Sequence, residues 1–163
     1  MFDQKKNMSG QGGFSLVELM VTVAIIGIVS TIAVAGYLSW KPGYVFRGAV
    51  SQVRGDLNRA KMRAVETRRQ CRVVFSTNGY HIEDGDRVMN SVNYTVNMVR
   101  DFSDFPQVTI TDSGAAIVAG SEPTITFSPR GTATLGLFRV EHPNAGGADI
   151  AVNITGRVNI TWL

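Results

Sequence analysis

Apolar and polar positions alternate in three different ways along the chain. From Leu19 to Leu38 the residues are Val, Ile, Ala, Leu, Met, Gly, Ser, Thr and Tyr, with no charge among them. At 1.5 Å per residue such a run makes a helix of about 30 Å, the thickness of a bilayer core, so one membrane span is predicted. Lys41-Pro42-Gly43 follows and should bend or briefly interrupt a helix. Phe46, Val50, Val53, Leu57, Ala60 and Ala64 then recur at spacings of three and four. That periodicity predicts a second helix over about 44–69 with a single apolar stripe to pack on a sheet.

Beyond Gln70 the pattern shortens to stretches rich in Val, Ile, Thr, Phe and Tyr, separated by Asn78-Gly79, Asp84-Gly85, Ser113-Gly114, Gly131 and Gly146-Gly147. These are strand and turn signals. Strands are expected at 71–76, 80–83, 87–94, 107–111, 124–128, 136–140, 150–154 and 157–162. The predicted fold class is α+β: a long N-terminal transmembrane helix, continuing into an amphipathic helix packed on antiparallel β-sheet.

The chain has 163 residues, 44% of them hydrophobic. Without the span and what precedes it, roughly 120 residues remain, enough for one core. Cys71 is the single cysteine and excludes an internal disulfide. Within Cys71-Arg72-Val73-Val74-Phe75 it reads as a small buried hydrophobe.

The start of the chain inverts the order of a secretory signal, which places its small-residue cut after a short apolar stretch. Here a basic, Gly-rich leader (Lys5, Lys6, Gly10, Gly12, Gly13) comes first, and an apolar run too long for a signal follows. A cut ahead of that run leaves it on the mature protein. Gly13-Phe14-Ser15-Leu16-Val17-Glu18, followed by the run to Leu38, closely resembles the processing site of type IV prepilins and pseudopilins. The resemblance implies that a membrane-embedded prepilin peptidase cuts between Gly13 and Phe14 and methylates the new Phe14 amine. It also implies that Glu18 meets the Phe14 amine of a neighbouring subunit during assembly. A carboxylate in or near the apolar zone costs up to roughly 3 kcal/mol and ordinarily has a partner or a function. The implied organisation is a leader at 1–13, a transmembrane and assembly helix at 14–40 and a globular pilin-like domain at 41–163. The short basic leader favours a cytoplasmic N-terminus, which puts the C-terminal domain in the periplasm of a single-pass inner-membrane protein. Major pilins of this superfamily often close a C-terminal loop with a disulfide, so the lone Cys71 leans towards a minor pilin or pseudopilin.

Two stretches narrow the resemblance. Ile125-Thr126-Phe127-Ser128-Pro129-Arg130-Gly131 and the final Ile150-Ala151-Val152-Asn153-Ile154-Thr155-Gly156-Arg157-Val158-Asn159-Ile160 are similar to the GspH/FimT-type subfamily. Phe127 is placed to enter the core, Pro129 and Gly131 to make a turn, and Thr155-Gly156 to join the last two strands.

Charge adds a candidate partner. The net formal charge is only +3, yet eight basic residues (Arg47, Arg54, Arg59, Lys61, Arg63, Arg68, Arg69, Arg72) stand against Asp56 and Glu66 in this helical stretch. Arginine forks bind paired oxygens, so such a face suits DNA, anionic lipid, acidic neighbours or salt bridges with other subunits. Some FimT-like minor pilins bind DNA through a C-terminal Gly-Arg-x-Arg. Gly156-Arg157-Val158-Asn159 keeps the glycine and first arginine but has Asn159 in place of the second. By that resemblance Arg157 is the candidate DNA contact, with Arg130 and Arg139 as neighbours.

No His-Glu-x-x-His, Cys-x-x-Cys, phosphate-cradling loop or nucleophile elbow is present, so no catalytic, metal or cofactor site is expected. His81-Ile82-Glu83-Asp84-Gly85-Asp86 lacks EF-hand spacing and reads as a hairpin turn with solvated acids. His142, beside Pro143, reads as a loop residue without a catalytic partner. The implied function is that of a minor pilin in type IV pilus assembly, with a type II secretion pseudopilin and a DNA-binding pilin as alternatives. Its implied partners are other pilin subunits, the prepilin peptidase, the assembly platform and ATPase, membrane lipid and DNA.

Overall fold

A computed structural model describes residues 13–112, 115–117 and 122–163. The leader other than Gly13, and the predicted Ser113-Gly114 turn, lie outside them. The chain forms two compact units, one up to Trp40 and one from Lys41 to Leu163, and the 52-residue helix α1 (Leu16–Thr67) contributes to both.

In the first unit the described side chains of α1 are predominantly apolar and exposed, Leu16 at 75% and Ile32 at 71%. It is long and apolar enough to cross a membrane. Contrary to the predicted interruption, helix continues through Lys41-Pro42-Gly43. Pro42 forfeits one backbone donor, but several helical turns on either side keep the surrounding groups bonded, and an apolar setting penalises any further break.

The second unit wraps sheet around the rest of α1. Phe46, Val50, Val53, Leu57, Ala60 and Ala64 are all buried, so the predicted stripe is the helix's contribution to the core. Around it lie β1 (Cys71–Ser76), β2 (Gly79–Gly85), β3 (Tyr94–Asp101), β4 (Thr109–Asp112), β5 (Ala115–Ala116), β6 (Thr124–Phe127), β7 (Gly136–His142), β8 (Gly146–Val152) and β9 (Val158–Trp162). They form two antiparallel sheets, ordered β3-β2-β1-β6 and β5-β4-β7-β8-β9. Phe75 of β1 and Phe138 of β7 stack at 4.1 Å between centroids, joining the two sheets through the core.

Four local expectations are corrected. The strand predicted at 87–94 is instead bends followed by irregular chain, and β3 begins only at Tyr94. Local polar groups win there: the Ser91 hydroxyl bonds the N–H and carbonyl of Arg87, the Asp86 carboxylate accepts from Val92 N–H, and Asn90 is left-handed. Val88, Met89 and Val92, whose β-propensity suggested a strand, all face solvent. His81 to Gly85 belong to β2 rather than a turn, and their acids are paired rather than solvated, because Arg63 and Arg72 face them. The predicted Gly146-Gly147 separator opens β8, which ends at Val152, short of Ile154; the reversal comes earlier, where Ala145 N–H bonds His142 O at 3.1 Å. His142 accordingly closes a strand, buried, with its Nδ1 accepting from Asn144 N–H at 3.1 Å. The two-residue β5 carried no periodicity to predict it.

Candidate functional site

The N-terminal site begins at a well-defined helix start. Ser15 caps α1: its hydroxyl accepts from Val17 N–H at 3.3 Å and its carbonyl from Leu19 N–H at 3.1 Å. Ser15-Leu16-Val17-Glu18 thus has the spacing of a capping box, with Glu18 as the acid in the first turn, where the helix dipole favours negative charge. The cap itself is made by Ser15, and Glu18 adds its charge to the first turn beside it. Gly13 and Phe14 precede the helix in an exposed, non-helical segment. Phe14, Glu18, Leu19 and Thr22 line a shallow groove at that end. An accessible, non-helical backbone ahead of a helix is suited to a peptidase, and the carboxylate one turn in is suited to an incoming amine.

On the second unit the eight basic residues divide. Arg63 grips Asp84 with its Nε and Nη2 at 2.6–3.0 Å, and the Asp84 carboxyl is held below the usual carboxylate range chiefly by that hydrogen bond. Arg72 pairs with Glu83 and lies 3.7 Å over the Tyr94 ring. Lys61 donates to two backbone carbonyls described below. Arg47, Arg54, Arg59, Arg68 and Arg69 remain exposed. A further tie was invisible in the sequence: buried Asp56 accepts from the Tyr80 hydroxyl at 2.7 Å and Arg100 Nε at 3.2 Å, fastening α1 to β2 and β3. Burial and this hydrogen bond push the Tyr80 phenol upward.

The two C-terminal motifs form neighbouring turns. In one, Gly131 N–H bonds Ser128 O at 2.9 Å with Gly131 at φ +79°; in the other, Gly156 N–H bonds Asn153 O at 2.8 Å with Gly156 at φ +67°. A methyl group on Gly156 would lie 2.5 Å from the Gly131 carbonyl oxygen, so the turns touch backbone to backbone. Lys61 Nζ seals them from below, donating to Thr155 O at 3.1 Å and Gly156 O at 3.2 Å. The turns bring Arg130 and Arg157 onto one region, both exposed, whereas Arg139 sits in β7 and is committed to Asp149 at 2.5 Å, with Glu141 at 3.8 Å. Arg139 in turn holds the Asp149 carboxyl below its ordinary range. Phe127 is fully buried, as its motif predicts. No group of three or more His, Cys, Asp or Glu placed to hold a metal occurs among the described residues.

Comparison with known proteins fits this geometry. Residues 49–156 match the family described as type II transport protein GspH, and residues 8–34 match the prokaryotic N-terminal methylation motif. The type IV major fimbrial protein FimA of Dichelobacter nodosus is 28% identical over 139 residues, covering 75% of this chain and 86% of that protein. The type IV major alpha-pilin of Moraxella bovis is 39% identical over 54 residues, covering 33% of this chain and 31% of the relative. A crystal structure of the type IV minor pilin FimU of Pseudomonas aeruginosa, in space group P21, shares the fold with a TM-score of 0.50 at 19% identity, covering 71% of this chain and 87% of FimU. With more than half its length in that match and the methylation motif ahead of it, the chain belongs to the GspH family of the type IV pilin and pseudopilin superfamily.

Proposed function

We propose that this subunit is a minor pilin of a type IV pilus, cut between Gly13 and Phe14, methylated on Phe14 and assembled through α1. The carrying observation is the uncovered apolar helix directly behind an accessible Gly13-Phe14 and a carboxylate at Glu18. In the inner membrane lipid covers that helix. An assembly platform and its ATPase move it into a filament, where other subunits replace lipid and a neighbour's Phe14 amine meets Glu18. The second unit then stands on the periplasmic side.

A type II secretion pseudopilin uses the same residues, and the GspH match favours it as the second reading. DNA binding has a narrower basis: Arg130 and Arg157 share one region, but Arg139 is neutralised by Asp149 and Asn159 supplies no charge. Deleting the gene and counting surface filaments by electron microscopy, while assaying secreted enzymes in the same cultures, separates the readings. Sparse filaments with normal secretion are expected. Intact filaments with enzymes trapped in the periplasm would assign the subunit to secretion.

A further inference from the structure

β9 has an open edge. In its ladder with β8, Asn153 N–H bonds Arg157 O at 3.1 Å and Leu163 N–H bonds Gly147 O at 2.9 Å. Bonded and non-bonded pairs alternate in an antiparallel ladder, so the odd-numbered residues of β9 bond to β8. The backbone groups of Val158, Ile160 and Trp162 therefore point the other way. β9 ends its sheet, and among the described residues no hydrogen bond reaches those outward groups. Such a row is a template for another strand.

The ground beside that edge is cationic. β9 runs alongside α1: the turn before it rests on Lys61, and Trp162 at its far end meets Phe46 edge to face at 5.8 Å. Lys61 therefore marks the flank of α1 that faces β9. Arg54 and Arg47 precede it by one and two steps of seven residues, about two helical turns each, and so lie on the same flank. Both are exposed, as is Arg157 at the head of the strand, and no salt bridge engages any of the three among the described residues. On the opposite flank Arg63 is held by Asp84 and Asp56 by Arg100, while Arg59 stays exposed. A strand added to β9 would lie over Arg47 and Arg54, with every second side chain facing them.

We propose that β9 accepts an additional strand from a neighbouring subunit of the same filament: an extended segment with carboxylates at alternate positions. Backbone bonds to Val158, Ile160 and Trp162 supply the docking, and Arg47, Arg54 and Arg157 select the acids. This rests on the pilin or pseudopilin reading above and holds for either filament.

The test is photo-cross-linking in cells making the full chain with p-benzoylphenylalanine in place of exposed Thr161. The expected adduct maps by mass spectrometry to an acid-rich extended segment of another pilin-family subunit. Ile160→Pro removes one outward N–H without touching the β8 ladder, and Arg54→Glu reverses the charge; each lowers capture about tenfold. Ile160→Ala, which loses the same side chain but keeps the N–H, stays within about twofold. An acid-to-Arg change in the captured segment restores capture by Arg54→Glu. If melting shows Ile160→Pro unfolded, Arg54→Glu and its restoration decide the matter. No adduct while filaments are present, an adduct unchanged by Arg54→Glu, or capture of nucleic acid instead of protein overturns the proposal. With filaments intact, such a failure leaves the assembly reading standing.

Discussion

Lys61 donates to the Gly156 carbonyl at 3.2 Å, beneath the point where the Gly156 and Gly131 turns meet. Lys61→Met keeps the aliphatic stem but leaves the Thr155 and Gly156 carbonyls without their charged donor, at a cost of about 1–2 kcal/mol. Gly156→Ala must cost more, about 2–3 kcal/mol, because the left-handed backbone and the Gly131 oxygen both oppose a methyl group. Urea unfolding of the two variants checks the order. Equal stability to the parent in Gly156→Ala would contradict the contact between turns.

Asp84 makes stability depend on acid. Its carboxyl titrates below the ordinary carboxylate range when folded, so between the two values the unfolded chain binds the extra proton. The contribution is complete above the ordinary range and is lost as pH falls through the folded value. Because Arg63 and Asp84 are partly open to water, screening limits the effect to about 1 kcal/mol. Unfolding free energy measured from pH 6 down to pH 2 should fall less steeply in Asp84→Asn than in the parent.

Cys71 should be chemically silent in the folded state. It is fully buried, and burial pushes its thiol up to about 12, so almost no thiolate exists near neutrality. Iodoacetamide at pH 8 is expected to label the native protein at least about a hundredfold more slowly than the urea-unfolded chain. Similar rates in both states would show that the strand opens readily.

Two readings of Glu18, a first-turn charge and a partner for a neighbour's amine, can be separated. Glutamine also completes a capping box, so Glu18→Gln retains the helix start and loses only the charge. If the charge meets a neighbour's amine, Glu18→Gln and Glu18→Ala both fail to enter filaments although Gly13–Phe14 is still cut. Gly13→Ala is expected to leave the leader on, and Phe14→Ala to be tolerated best. Immunoblots of sheared filaments and membranes report cutting and incorporation together; wild-type incorporation of Glu18→Gln would reduce Glu18 to a cap.

Periodicity made both parts of α1 and most strands legible. The stripe from Phe46 to Ala64 and the alternation in β6 reflect burial on one side, and the apolar run Val73-Val74-Phe75 of β1 reflects burial on both, which a sequence records directly. The segment 87–94 misled because its Val and Met residues have strand propensity, while the outcome was decided by Ser91, Asp86 and Asn90 bonding their own backbone. The Gly13 to Glu18 motif was readable because a motif match and a helix start are local. The Asp56–Tyr80–Arg100 tie and the neutralisation of Arg139 by Asp149 were not, since each depends on which residues the topology brings opposite one another.

The bond from Lys61 to Gly156 also sets an order of events. It closes a loop of 95 residues, so the helix flank it secures stays unfinished until the chain has been made through Gly156. A subunit arrested before that point would have a complete α1 span and an incomplete β9 edge. If β9 recruits a neighbouring strand as proposed, insertion into the bilayer and competence to recruit would therefore be separated in time.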